Sequence, residues 1–189
     1  MKQFFLIFFC LVVSLWATPA EKDSSRSFHD AFLALEGGAI YPNSDLGQVI
    51  DRSYYGLAEF RYSYFGPFFG VVQFGYAYMN TTDDVAFPGV HQFNGRVGVD
   101  YPIQMAKPIS IGGGFSCIWA RADGSDEDTK TSTLYDNESE FGWYLRLDLP
   151  IVRTQNYRVG AKVYYETLWT LPNRSNMLWI GFYVERKLW

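Results

Sequence analysis

An eight-stranded, antiparallel, up-and-down transmembrane β-barrel, an all-β architecture, is what the residue pattern of this 189-residue chain calls for. Three observations carry that reading. Eight successive stretches each split at period two into an apolar comb and a polar or mixed comb, as strands do when side chains alternate between two faces. The connections alternate between compact, often proline-bounded turns and more polar, mostly longer loops. The combs also run about 9 to 11 residues or slightly beyond, the length of a tilted membrane strand, against roughly 5 to 6 in soluble proteins.

The chain begins MKQFFLIFFCLVVSLWATPA, with Lys2 ahead of an uncharged apolar run from Phe4 to Trp16 and small residues at Thr18 and Ala20. That order is a secretory signal peptide over residues 1–20, expected to leave residues 21–189 as the barrel domain. Its apolar run is shorter than the roughly 20 residues of a spanning helix, so any later crossing must be made of strands. Cleavage removes Lys2 and no acid from totals of 16 Lys+Arg and 20 Asp+Glu, leaving a formal charge of −5. A basic footprint for nucleic acid is absent, and no nucleic-acid partner is expected. Cys117 alone survives processing, so no intrachain disulfide can staple the exported domain.

The first strand, about Phe28 to Tyr41, sets Ala31, Leu33, Leu35, Gly37 and Ala39 against Asp30, Phe32, Ala34 and Glu36. A hairpin follows around the breaker Gly66-Pro67. Its arms set Tyr54, Ala58, Phe60 and Tyr62 against Leu57, Glu59, Arg61 and Ser63, then Phe68, Val72, Phe74, Tyr76 and Tyr78 against Val71, Gln73, Ala77 and Met79. His91 to Tyr101 set Phe93, Val97, Val99 and Tyr101 against Gln92, Asn94, Arg96 and Asp100. Ile109 to Arg121 set Ile111, Phe115, Cys117 and Trp119 against Ser110, Gly112, Gly114 and Ser116. Ser139 to Pro150 set Phe141, Trp143, Leu145 and Leu147 against Glu140, Tyr144, Arg146 and Asp148. Tyr157 to Thr167 set Val159, Ala161, Val163 and Tyr165 against Arg158, Lys162, Tyr164 and Glu166. Asn176 to Trp189 close the series, with Leu178, Ile180, Phe182 and Val184 against Trp179, Tyr183, Glu185 and Lys187.

Compact turns are expected around Gly66-Pro67, Pro102 to Pro108 and Pro150 to Asn156, with polar loops between the other strands. This asymmetry puts both termini on the short-turn side. Several apolar combs carry aromatics at their ends and aliphatics between, as in Tyr157, Val159, Ala161, Val163 and Tyr165, the pattern of a membrane girdle. In these features the chain resembles the small eight-stranded bacterial outer-membrane β-barrel proteins over nearly all of its mature length. The resemblance implies location in the cell outer membrane, contact with outer-membrane lipid, and recognition by the barrel assembly machinery. Members commonly end in an aromatic residue read by that machinery, a place that Trp189 occupies in FYVERKLW.

With the apolar combs turned to lipid, Glu59 and Arg61 face a lumen. The inward combs bring together a charge network of Glu59, Arg61, Arg96, Asp100, Glu140, Arg146, Asp148, Arg158, Lys162 and Glu166, joined by Asp30, Glu36, Glu185 and Lys187. Eight strands enclose a space that side chains fill, so near-balanced signs read as a plug of ion pairs. The uncharged inward comb of Ser110, Gly112, Gly114 and Ser116 leaves volume that Tyr144 and Tyr164 are expected to occupy. A lipid-facing Val163→Arg is expected to cost more than a lumen-side Glu166→Gln.

The function expected is structural or interactive, through surface loops with an unknown extracellular partner. No catalytic residue, cofactor or metal site is expected. The acidic loop DGSDEDTKTSTLYDNE lacks the spacing of an EF-hand and reads as a solvated surface. Three alternatives stand beside this: a narrow channel for small solutes, a lipid A-modifying enzyme, and a soluble lipocalin-like binding barrel. For the enzyme, His91 lies at a loop end on the lipid-facing comb, but Phe93 stands where a deacylase-like nucleophile would be needed.

Overall fold

The computed structural model describes residues 30–43, 47, 50–65, 67–82, 89–103, 109–122, 138–169 and 175–189. The expected signal peptide, His29 and most of the long acidic loop lie outside the described residues. Among those described there are β1 (Ala31–Asn43), β2 (Ser53–Phe65), β3 (Phe68–Asn80), β4 (Gly89–Ile103), β5 (Ile109–Ala122), β6 (Glu138–Arg153), β7 (Tyr157–Leu168) and β8 (Ser175–Lys187). They form a closed barrel in chain order. Neighbours pair antiparallel throughout, and β1 closes on β8 from Phe32 opposite Lys187 to Asn43 opposite Asn176. Closure leaves no sheet edge unpaired.

The combs fall as their period dictates. In β4, Gln92, Asn94, Arg96 and Asp100 are buried while Phe93, Val97, Val99 and Tyr101 are exposed. In β8, Met177, Trp179, Tyr183 and Glu185 are buried while Leu178, Ile180, Phe182 and Val184 are exposed. A lipocalin-like barrel would have the opposite arrangement, with its apolar combs around a ligand-sized core, so that alternative is set aside. Ala31 departs from the alternation because it lies at the closing seam, where its N–H donates to the carbonyl of Trp189 at 3.2 Å.

Two prolines expected to end strands do not. Pro102 pairs with Ser110 inside β4, and β6 runs past Pro150 to Arg153. Proline lacks the N–H that a regular ladder needs, and the register shifts between Pro150 and Val152 accordingly. The turn shrinks to Thr154, Gln155 and Asn156, tied by the Thr154 N–H bonding the Tyr157 carbonyl at 2.8 Å.

The barrel interior is layered. Towards the short turns it is charged. Towards the loops it is mixed, with Ile40, Leu57, Ala77, Met79, Ile118, Leu168, Met177 and Trp179 buried in one cluster beside the buried polar side chains of Gln92, Asn94 and Thr167. The charges of the lumen gather towards the turns, while inward apolar residues such as Leu57 and Met177 share the loop side with uncharged polar ones. Two glycines make the charged layer fit. A Cβ on Gly98 would strike the Tyr144 hydroxyl, and one on Gly112 would strike the Asp100 carboxylate. Tyr144 stands opposite Gly114 of β5 with its hydroxyl against Gly98 of β4, and Tyr164 reaches across to Glu36 at 2.7 Å.

Candidate functional site in the barrel lumen

Inward positions of different strands meet across the barrel because its diameter is only about two side chains. Glu59 on β2 is the densest junction. It accepts from Arg146 of β6, from Lys162 of β7 at 2.8 Å, and from the Gln73 side chain of β3. Arg146 also donates to Asp100 of β4, so one guanidinium spans two carboxylates. Arg61 reaches Glu185 at 3.0 Å and Asp148 at 3.4 Å. Arg158 joins the same two acids, each at 2.9 Å. Phe32 and Phe69 lie against the Arg61 guanidinium, at 5.3 and 5.1 Å, on the side facing the turns.

A second group stands nearer the loops. Arg96 grips Glu166 with two bonds, Nε to Oε1 at 3.3 Å and Nη2 to Oε2 at 2.8 Å. Its guanidinium carbon lies 4.1 Å from the Trp179 ring centre and 5.0 Å from that of Tyr164. The planar cation is thus desolvated by aromatic faces while its edge is neutralised, an arrangement suited to arginine rather than lysine. Tyr164 connects the groups: its hydroxyl donates to Glu36, which also accepts from Tyr55 and lies 3.5 Å from Lys162.

Nine of the ten residues expected in the lumen network are thus bonded to one another: Glu59, Arg61, Arg96, Asp100, Arg146, Asp148, Arg158, Lys162 and Glu166. Glu140 is placed elsewhere, half-buried at the loop end of β6 opposite Ile118. Asp30 and Lys187 pair with each other at the turn-side rim, partly exposed. Tyr55, Tyr164, Tyr183 and Gln73 complete the bonding and were not expected as members, although their inward phase was readable. On the wall made by β4 and β5, Gln92 Nε2, both polar atoms of the Asn94 side chain and Ser116 Oγ are buried without a hydrogen-bond partner among the described residues.

No family model and no curated protein matches this sequence. Among solved structures, Neisserial surface protein A is similar at 10% identity and a TM-score of 0.65, over 82% of this chain and 96% of that one. Ail, the attachment invasion locus protein of Yersinia pestis, is similar at 11% identity and 0.56, over 84% and 99%. The outer membrane protein OprG from Pseudomonas aeruginosa is similar at 10% identity and 0.54, over 85% and 97%. This chain has the fold of the small bacterial outer-membrane barrels.

An outer-membrane barrel inverts the usual surface, and here Phe74, Phe115, Leu145 and Phe182 stand outside with 55–68% of their area exposed. Cys117 is free and exposed on the same face. His91 lies at the loop end of that face, as expected, with Nδ1 2.6 Å from the Tyr76 hydroxyl. Trp189 follows the end of β8 and is exposed.

Proposed function

We propose that the protein is an integral outer-membrane barrel with a closed interior, acting structurally or through interactions made at its loop side. The observation that carries this reading is the Arg146 bridge between Glu59 and Asp100. Neither Arg146 nor Glu59 exposes any side-chain surface, and buried pairs held this way fill a lumen rather than line a water-filled pore. Its partners in this reading are outer-membrane lipid, the barrel assembly machinery through Trp189, and a loop-binding molecule outside the cell. Planar-bilayer recording of the full chain tests it: the expected trace is flat, and steady single-channel currents would overturn it.

A narrow channel for small solutes is the second reading. It is favoured by the polar atoms of Gln92, Asn94 and Ser116 that have no partner among the described residues and offer hydrogen bonds along one wall, Ser116 opposite Arg96 and the other two nearer the loops. If this reading holds, currents appear and their ion selectivity changes in Arg96→Gln or Arg146→Gln.

A further inference from the structure

Ten buried side-chain polar atoms have no hydrogen-bond partner among the described residues. Three are the Nε atoms of Arg61, Arg146 and Arg158, whose guanidinium groups already bridge carboxylates. The other seven gather elsewhere, on Gln73, Gln92, Asn94, Arg96, Ser116 and Trp179, none of which is more than 5% exposed. Gln73 of β3, Arg96 of β4 and Ser116 of β5 stand in one row across adjacent strands. Asn94 and Gln92 continue the inward comb of β4 towards the loops, and Trp179 meets the Arg96 guanidinium from the far wall at 4.1 Å.

Neighbouring side chains cannot complete these bonds. Gln92 stands between Ala77 and Ala120, and Asn94 between Gly75 and Ile118. Donors and acceptors left unbonded away from water cost free energy, which an occupant able to bond them recovers. Four N–H groups, on Gln92, Asn94, Arg96 and Trp179, face two amide oxygens, on Gln73 and Asn94, while the Ser116 hydroxyl serves either way. The occupant must therefore accept more than it donates, as hydroxyl oxygens do with two lone pairs and one proton. Leu57 and Met177, in the adjoining apolar cluster, offer a carbon surface beside this polar wall.

Charge is not catered for. Glu166 already neutralises Arg96, and Glu140 stands half-buried at the loop end of β6. An ion would give up its hydration to face amides, a hydroxyl and an indole. We propose that the loop half of the lumen is a binding site for a small uncharged polyol, ending at the Arg96 and Glu166 pair. The seven atoms are out of contact with solvent, so the polyol enters as Gln92 and Asn94, which no described ion pair holds, swing aside. This goes beyond the closed-barrel reading, because a dead-end site for a neutral molecule passes no current and needs no loop partner.

Saturation-transfer NMR on the full chain in deuterated detergent tests it with three probes of one carbon skeleton: glycerol, glycerate and 3-amino-1,2-propanediol. Glycerol is expected to give a signal at least about fivefold above either charged analogue, and Gln92→Leu with Asn94→Leu to lower it about fivefold. Cys117→Ser, on the outer face, should leave it unchanged. A heat-modifiable band on unboiled electrophoresis verifies folding. Should the double variant fail that check, Ser116→Ala carries the comparison, with about a twofold loss expected. No glycerol signal from the folded protein, an equal signal from the folded variant, or a stronger signal from a charged analogue would overturn the site. Steady currents in planar bilayers would overturn the closed interior and leave the site standing.

Discussion

The guanidinium of Arg96 lies 4.1 Å from the centre of the Trp179 ring, so the cation is buried against indole while Glu166 takes two of its N–H donors. Removing one partner of such a pair strands the other in a low-dielectric interior. Glu166→Gln is therefore expected to cost about 3–5 kcal/mol, and Arg96→Met with Glu166→Leu to recover most of it. Urea unfolding in phospholipid vesicles, followed by tryptophan fluorescence, measures both. Equal loss in the single and double variants would show that the pair is not what the site requires.

The outward comb of β7 gives a second prediction. Val163 stands opposite Leu147 and Ile180, both on lipid-facing combs. Val163→Arg should cost roughly 2–4 kcal/mol, as expected for a cation in mid-bilayer, while Val163→Leu should stay within about 0.5 kcal/mol. The sequence suggested that Glu166→Gln would be clearly better tolerated than Val163→Arg. The two-bond grip on Arg96 corrects that, since both changes now carry similar costs.

Glycine positions separate tight from open sites. Gly98→Ala places a methyl against the Tyr144 hydroxyl and, less avoidably, the Gly113 backbone carbonyl. A cost of about 1–3 kcal/mol is expected. At Gly37 the nearest atom to an added Cβ is the Tyr55 carbonyl oxygen at 3.5 Å, ordinary contact distance. Gly37→Ala should leave the unfolding midpoint close to that of the unaltered protein, and a large loss there would contradict the packing described.

Salt should distinguish rim from interior. The Asp30 and Lys187 side chains are 48% and 37% exposed, so Lys187→Ala should change stability by at most about 1 kcal/mol, an effect that fades in 1 M salt. Arg146→Met, inside the barrel, should keep its penalty at the same salt. Unfolding curves at low and high ionic strength check the contrast.

Cys117 supplies a topographic test. It is exposed on the outward comb between Phe115 and Trp119. In bilayers a membrane-soluble maleimide should label it and a charged maleimide should not. Ready labelling by the charged reagent would place this face in water.

Period-two alternation made the strands and their orientation readable, because burying one face repeats the same signal along every strand. Pro102 and Pro150 misled the boundaries, since a barrel accommodates proline at a register shift where a local reading sees a stop. The membership of the charge network was legible residue by residue, but its pairings were not. Arg146 and Glu59 are 87 positions apart in sequence, and Arg61 and Glu185 are 124 apart. Nothing local encodes such partners; the barrel's curvature selects them. Glu140 shares the inward phase but stands at the loop end of β6, since phase alone does not report height along the lumen.

Several of the ion pairs join strands that are not sheet neighbours: Glu59 of β2 with β6 and β7, Arg96 of β4 with β7, and Arg61 of β2 with β8. A curl of strands that has not met its far side holds these charges without their counterparts, and each unmet charge works against leaving water. Those counterparts arrive with the last seam, between β1 and β8. Half-built sheets are thereby penalised in the bilayer, and the completed ring is the first state in which the interior can become dry.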